Sequence, residues 1–488
     1  MKRILIPLCI VVGSHVAYGQ RSYQFDAPDR LFVEGKELFS LKNYAGCIDK
    51  LEAYKQHSTN ADLIQEADYM LVYAAYEQGR PNADELLKDY LEEYPASRHS
   101  DEIGYMIGSV HFKRGEYEKA IFWFNEADID MLSPEQQEAY SFRLAYSLLQ
   151  TGEMEKARGY FARIEQVGDK YKEASTYYVA YIDYAMGNYN NALIEFSRLK
   201  ESPKYREQSQ YYIAQIYFIQ SKYEKVVKEG EELLSLYPDS KNNSEMYRIV
   251  GDSYYHLGDQ EKAIRMLSKY VSSTENPLRS DLYILGVCYF NKRNYSNTVN
   301  ALSRTVRQND ELTQNAYLYL GQSYLKLGDK NNARMAFEAA ATSSFDKQIK
   351  EVAMYNYALL IHETAFTGFG ESVTIFEDFL NDFPNSQYAD KVNDYLVEVY
   401  LTTKNYEAAL KSINKIKHPS TKILEAKQDI LFQLGTQAFA NVKLDDAVSL
   451  FSQAIQLGSY NMEARNDAYF WRCLLYTSDA ADDMQCVD

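Results

Sequence analysis

Long apolar runs are nearly absent from this chain. One stands at the start, Ile4 to Val12, and it falls short of the roughly 20 residues that a membrane-spanning helix needs. No other run approaches that length, so no direct membrane span is expected. Cysteine is sparse as well. Cys9, Cys47, Cys288, Cys473 and Cys486 form no Cys-x-x-Cys pair, which leaves neither a disulfide framework nor a zinc or redox motif. Seven histidines are scattered along the sequence. His362-Glu363 opens like a metalloprotease motif, but no second histidine follows at helical spacing. A Gly-x-x-x-x-Gly-Lys-Ser/Thr phosphate loop and a Gly-x-Ser-x-Gly elbow are missing too. Carboxylate pairs such as Glu231-Glu232 and Asp445-Asp446 sit where a helix dipole or solvent accounts for them. No catalytic residue, cofactor site or metal site is expected, and the chain does not read as an enzyme.

Positive charge is also in short supply. Lys and Arg number 52 against 69 Asp and Glu, a formal net charge of −17. Nucleic acid demands basic stripes and anionic lipid demands basic patches, so neither partner fits. Dispersed acid of this kind keeps a protein soluble.

What the chain has instead is a pattern of 34 to 38 residues that returns about twelve times. Clear copies are IGSVHFKRGEYEKAIFWF from Ile107, VGDSYYHLGDQEKAIRML from Val250, LGVCYFNKRNYSNTVNAL from Leu285 and LGQSYLKLGDKNNARMAF from Leu320. Apolar residues three and four apart within each segment mark helices. A small residue recurs in the first segment: Gly108, Gly251, Gly286, Gly321 and Gly435. Another recurs in the second: Ala120, Ala157, Ala192, Ala263, Ala333, Ala409 and Ala447, with Cys47 in the same slot. Glycine inside a helix costs roughly 1 kcal/mol relative to alanine, so five in register need compensation. Close approach of two antiparallel helices supplies it. Large residues fill the rest of each contact, among them Tyr254, Tyr289 and Tyr324 in the first segment and Phe124, Phe161, Phe196, Phe337, Phe376 and Phe451 in the second. Glycines such as Gly115 and Gly187 fit the left-handed turn between them.

This spacing resembles the tetratricopeptide repeat, a helix–turn–helix unit that stacks on its neighbours into a solenoid. The likeness runs from about Asp29 to Arg472. It implies an all-α fold, a right-handed superhelix of about twelve repeats, and a surface that binds a protein or peptide without a catalytic pocket. Tyrosine is the unusual residue, with 45 copies against 22 Phe and 2 Trp. Most are surplus to the repeat, and a ring with a wet hydroxyl suits a half-exposed helix face.

The ends differ from the middle. Residues 1–19 read as a secretory signal: Lys2 and Arg3, the short apolar run, then Ala17-Tyr18-Gly19 as a small-x-small cleavage site. The exported chain then starts at Gln20, with 20–28 as a linker. A lipoprotein signal is excluded, because bulky Leu8 precedes Cys9. Residues 473–488 lack the repeat's spacing and resemble the peptide read from sequencing-adapter DNA at a contig edge; a natural capping tail is the alternative. On the first reading this is the N-terminal binding region of a longer envelope protein, with a catalytic or membrane domain beyond Arg472.

Three second helices run into a Pro-Ser-type turn, at Tyr94-Pro95-Ala96-Ser97, Tyr237-Pro238-Asp239-Ser240 and Phe383-Pro384-Asn385-Ser386. There the proline ends one helix and the serine is expected to cap the next. This form resembles the repeats of the Tol-Pal cell-division coordinator and of the outer-membrane assembly lipoprotein. With the leader, it implies the periplasm of a Gram-negative bacterium and an envelope-assembly partner.

The resemblance also implies where a partner lies, since the first helices line the concave face. Tyr177, Tyr211, Arg248 and Tyr283 occupy one inward slot of four consecutive repeats, and Tyr184, Phe218, Tyr255 and Phe290 another. Tyr181 extends the patch, while Asp252 and His256 give it polar contacts. Aromatic residues and arginine dominate binding hot spots. The expectation is an aromatic groove over Tyr177–Phe290, with Arg248 free to pair with a partner's carboxylate. The alternative is that these rings merely pack against the next repeat.

Overall fold

The computed structural model describes residues 29–364 and 370–485, and among these it contains twenty-five α-helices and no strand. The expected leader, linker and most of the turn after Thr364 lie outside the described residues. The chain divides into two compact units, Met1–Ile216 and Tyr217–Asp488. In the first, paired helices follow one another: Arg30–Ser40 with Tyr44–Lys55, Ala61–Glu77 with Ala83–Glu93, Ser100–Lys113 with Tyr117–Glu126, Pro134–Gln150 with Met154–Val167, and Lys172–Ala185 with Tyr189–Arg198. The division falls within Arg206–Ile219. The second unit continues with Tyr223–Leu236, then Asn243–His256 with Gln260–Ser273, Arg279–Asn291 with Tyr295–Leu302, and Glu311–Lys326 with Lys330–Thr342. Lys347–Thr364 with Glu371–Asp382, Ala389–Thr402 with Tyr406–Ile413, and Thr421–Ala440 with Leu444–Gln456 complete its pairs. A last helix, Met462–Gln485, runs without a break past Arg472. Among the described residues no helix is long and apolar enough to cross a membrane.

Turn chemistry sets the hairpins. Gly115 and Gly187 reverse the chain with φ of +74° and +80°, a conformation that glycine adopts without a Cβ clash. Lys42, Ser221, Arg293 and Val442 take the same conformation in other turns, at a cost of about 1–2 kcal/mol for an L-residue. A side-chain oxygen then caps several second helices. Asn43 accepts from the Gly46 N–H, Asp259 from Lys262, Asp329 from Asn332 and Asn405 from Ala408.

The Pro-Ser turns behave differently from expectation. Tyr94, Tyr237 and Phe383 leave helical conformation directly before their prolines, as the proline ring requires. Ser97, Ser240 and Ser386 do not cap the next helix. Each hydroxyl accepts the backbone N–H two residues on, from His99, Asn242 and Tyr388 at 3.1, 3.1 and 3.0 Å. Those three are the N-cap residues themselves, so the serine fixes a turn ahead of the helix.

The close approach is observed directly. A Cβ built on Gly251 would lie 2.7 Å from Leu267 Cγ, and on Gly286 2.4 Å from Leu302 Cδ2. On Gly108, Gly321 and Gly435 it would lie 2.6–2.7 Å from the rings of Phe124, Phe337 and Phe451. Gly35, which the repeat pattern did not single out, stands in the same relation to Leu51 at 2.6 Å. In one repeat the large and small roles shift. Gly230 replaces the ring of the second helix, and Val250 of the following first helix fills the space, 2.3 Å from a Gly230 Cβ. Ala120, Ala157, Ala192, Ala263, Ala333, Ala409 and Ala447 are all fully buried. So are Phe124, Phe161, Phe196, Phe337 and Phe451, one turn further along the same second helices, each worth about 1.5–3 kcal/mol relative to exposure.

Gly251→Leu is expected to lower the thermal midpoint. Overpacking of this kind costs about 1–3 kcal/mol, and neighbouring repeats lose an interface as well. A melt that matches the parent within error removes the close-approach argument.

Candidate functional site

The expected strip is shared between the two units. Tyr177, Tyr181, Tyr184 and Tyr211 belong to the first; Phe218, Arg248, Asp252, Tyr255, His256, Tyr283 and Phe290 belong to the second. Only His256 is exposed and only Asp252 is buried; the remaining residues are half-buried.

In the first unit the rings converge on Tyr212. Tyr181 meets it edge-on at 5.9 Å and Tyr184 tilts against it at 5.0 Å. Tyr212 itself stacks on Phe196 of the preceding second helix, 5.0 Å apart and 10° from parallel. Tyr177 stacks on Tyr205 at 5.2 Å and meets Phe196 at 6.0 Å. The Tyr184 hydroxyl donates to Gln215 Oε1 at 2.9 Å, and Gln215 Nε2 donates to the Tyr211 hydroxyl at 2.7 Å. Burial raises the Tyr177 phenol well above its ordinary value, so that hydroxyl stays neutral.

In the second unit Arg248 is not free. Its Nε and Nη2 fork onto Glu245, one turn earlier on the same helix, at 2.8 and 2.7 Å. Its Nη1 lies 3.8 Å from Asp281, and its guanidinium carbon 5.4 Å from the centre of the Phe218 ring. The expectation of an available carboxylate receptor therefore fails: a bidentate pair is among the stronger hydrogen-bonded arrangements, and it is already made within the helix. His256 lies 3.2 Å from Asp252 and stacks on Tyr223 at 4.4 Å. Tyr255 meets His256 edge-on at 5.5 Å. Tyr283 and Phe290 both turn edges to Tyr319, at 6.2 and 5.0 Å.

For Tyr181, Tyr184, Tyr283 and Phe290, packing against the next repeat is thus what is observed. Tyr212 and Tyr319 receive these rings, and the strip omitted both. They share a slot with Tyr178, which packs against Phe161 at 5.0 Å and Tyr146 at 5.4 Å. The recurrence of tyrosine directly after the inward slot was the available signal. Elsewhere, a cleft of about 460 Å³ opens in the first unit beside Phe32, Lys36, Leu63, Glu66, Arg98 and His99.

Each unit is therefore an array of helical hairpins joined by aromatic layers, the architecture of a repeat protein whose product is a surface. Comparison with known proteins agrees. A family model described as an outer membrane lipoprotein matches residues 25–116, and one described as subunit 3 of the anaphase-promoting complex, or cyclosome, matches 256–340. Both matches support a protein of the tetratricopeptide-repeat kind. Among solved structures, a tetratricopeptide repeat protein from Parabacteroides merdae is 16% identical, covering 61% of this chain and 98% of its own, with a TM-score of 0.34. The C-terminal part of a repeat protein from Cytophaga hutchinsonii is 15% identical, covering 57% and 100%, also at 0.34. MamA from AMB-1 is 15% identical, covering 36% and 92%, at 0.30. Superpositions this loose carry no argument about function. No curated protein matches the chain.

Asp281 yields a pH test. It is 1% exposed, and burial raises its carboxyl from 3.8 to about 6, against the pull of Arg248 and with the help of Asp252 and Glu245. The folded chain then holds this proton more tightly than the unfolded one. Its contribution favours folding at low pH and is lost as pH climbs from about 3.8 to about 6. Denaturant unfolding should show a shallower fall in stability across that window for Asp281→Asn than for the parent. Equal slopes would mean that Asp281 holds its proton no more tightly in the folded state than in the unfolded one.

Proposed function

We propose that this chain is an exported periplasmic scaffold that binds protein through the aromatic face of its first helices. The leader-like residues 1–19 support export. The match of 25–116 to an outer membrane lipoprotein family supports an envelope setting. The observation that carries the binding reading is that the rings of this face are locked yet half-exposed. Tyr177, Tyr181, Tyr184, Tyr255, Tyr283 and Phe290 are each held by a neighbouring ring while keeping part of their surface in water. Packing of this sort does not compete with binding. It prepares for it, because a ring already fixed gives up little rotamer freedom when a partner covers it. The envelope resemblance of the Pro-Ser turns makes an envelope-assembly protein the natural partner.

The test is site-specific photocrosslinking in intact cells. A photoreactive phenylalanine at Tyr255 should capture a partner on protein recovered from the periplasmic fraction. The same residue at Met335, 62% exposed on a second helix, should capture several-fold less. Capture at Met335 equal to or above that at Tyr255 would place the partner on the other face, and recovery only from the cytoplasm would end the export reading.

A further inference from the structure

Six paired first helices lie wholly in the second unit, and five of them carry a large side chain at one slot. Three residues after the contact glycine, Tyr254 follows Gly251, Tyr289 follows Gly286 and Tyr324 follows Gly321. The two helices that lack the glycine, Lys347–Thr364 and Ala389–Thr402, fill the corresponding slot with Ile361 and Tyr400. Two of the tyrosines reach back to the preceding second helix. The Tyr254 hydroxyl donates to Glu231 Oε1 at 2.6 Å, and the Tyr289 hydroxyl lies 3.0 Å from Ser268 Oγ. The sixth helix breaks the series: three residues after Gly435 stands Ala438.

The missing ring leaves a hollow. Two adjoining clefts of about 340 and 380 Å³ share Glu407, Leu434 and Leu450. Ala438 lines the first, and Leu410 and Asn414 line the second. The walls are the second helices Tyr406–Ile413 and Leu444–Gln456, and the floor is the first helix Thr421–Ala440. A helical side chain leans toward the N-terminus of its own helix. A ring at 438 would therefore run from the first cleft over Leu434 and into the second.

Asn414 marks the far end of that path. It stands five residues after the fully buried Ala409, as Glu231 stands after Val226 and Ser268 after Ala263. It is the counterpart of the two groups that meet the Tyr254 and Tyr289 hydroxyls. Yet its own side chain is exposed and has no hydrogen bond among the described residues. An apolar bed and a polar end are thus both in place, and only the phenol is missing. The chain forgoes here the burial that an aromatic ring brings, and departures from a local packing rule belong to functional sites. Beside the mouth, between the lining residues Asn441 and Lys443, Val442 stands 79% exposed. It offers an apolar contact to a chain that carries such a ring.

We propose that this hollow receives a tyrosine side chain of a protein partner. The ring enters over Ala438 and packs among Leu410, Leu434 and Leu450. Its hydroxyl donates to the side-chain carbonyl of Asn414, as the Tyr254 hydroxyl does to Glu231. Val442 packs against the partner residue next to the tyrosine. This does not rest on the first-helix reading, because the walls of the hollow are second helices.

The experiment uses the purified full chain with two probes, N-acetyl-3-fluorotyrosine amide and N-acetyl-3-fluorophenylalanine amide, titrated and observed by fluorine NMR. The parent should bind the tyrosine probe about fivefold more tightly, the size of one net neutral hydrogen bond. Ala438→Tyr supplies the ring from within, so its thermal midpoint should match or exceed that of the parent. Both probes should then bind about tenfold more weakly or worse. Asn414→Leu, at an exposed position, should hold the phenylalanine probe as the parent does and lose the preference for tyrosine. A folded Ala438→Tyr that binds the tyrosine probe like the parent overturns the proposal, and so does an Asn414→Leu that keeps the preference. Should Ala438→Tyr fold poorly, Asn414→Leu decides alone. A parent that binds neither probe, or both equally, overturns it too. Self-association of the parent in sedimentation velocity, abolished by Ala438→Tyr, would put a second copy's tyrosine in the hollow and overturn the partner assignment.

Discussion

A ring or an isobutyl group of one helix lies where a β-carbon of its partner would otherwise stand. That contact, Gly108 against Phe124, Gly251 against Leu267, Gly435 against Phe451, is what the rest of the molecule depends on. It brings two backbones close enough for their ridges to interlock, and it buries a large apolar side chain completely with no other layer to cover it. Without it a helical hairpin of this length has too little interior to hold together, since short isolated helices are marginal in water. With it, each pair becomes a brick that needs only its neighbours.

Between bricks the work passes to tyrosine. A solenoid has no deep centre, so the joint between repeats is half wet, and a side chain with an apolar ring and a polar tip suits it. The hydroxyls confirm the division of labour. Tyr54 donates to Asp29, Tyr94 to Asp68, Tyr254 to Glu231 and Tyr357 to Glu371. Each phenol anchors its ring with a carboxylate from a neighbouring segment, which also gives the abundant acid of the chain a structural use. The arginine clamps Arg158–Asp183 and Arg279–Asp310 tie successive repeats in the same way.

The same layer explains why stability and binding are hard to separate in this protein. Tyr184, Tyr283 and Phe290 hold repeats together and also present part of their surface to water. A variant that removes such a ring weakens both roles at once. Charged and turn positions, whose side chains contribute less to burial, separate the two more cleanly.

The all-α class, the hairpin boundaries and the close contacts were legible in the sequence, because each depends on local rules. Glycine in a helix demands a neighbour, Gly115 and Gly187 mark reversals, and a period of three and four marks a helix. Those rules act within some forty residues, so a linear text records them. The fate of the candidate strip was not legible. Arg248 read as free to pair with a partner's carboxylate, yet only the folded helix shows that Glu245 takes both ends of the fork. Tyr212 and Tyr319 looked like further surplus tyrosines until the rings of the preceding repeats were found resting on them. Ion pairing and ring stacking depend on the geometry that the folded helices and their neighbours impose, so the sequence by itself determined the repeat and only the tertiary structure decided which charges are paired and which rings meet.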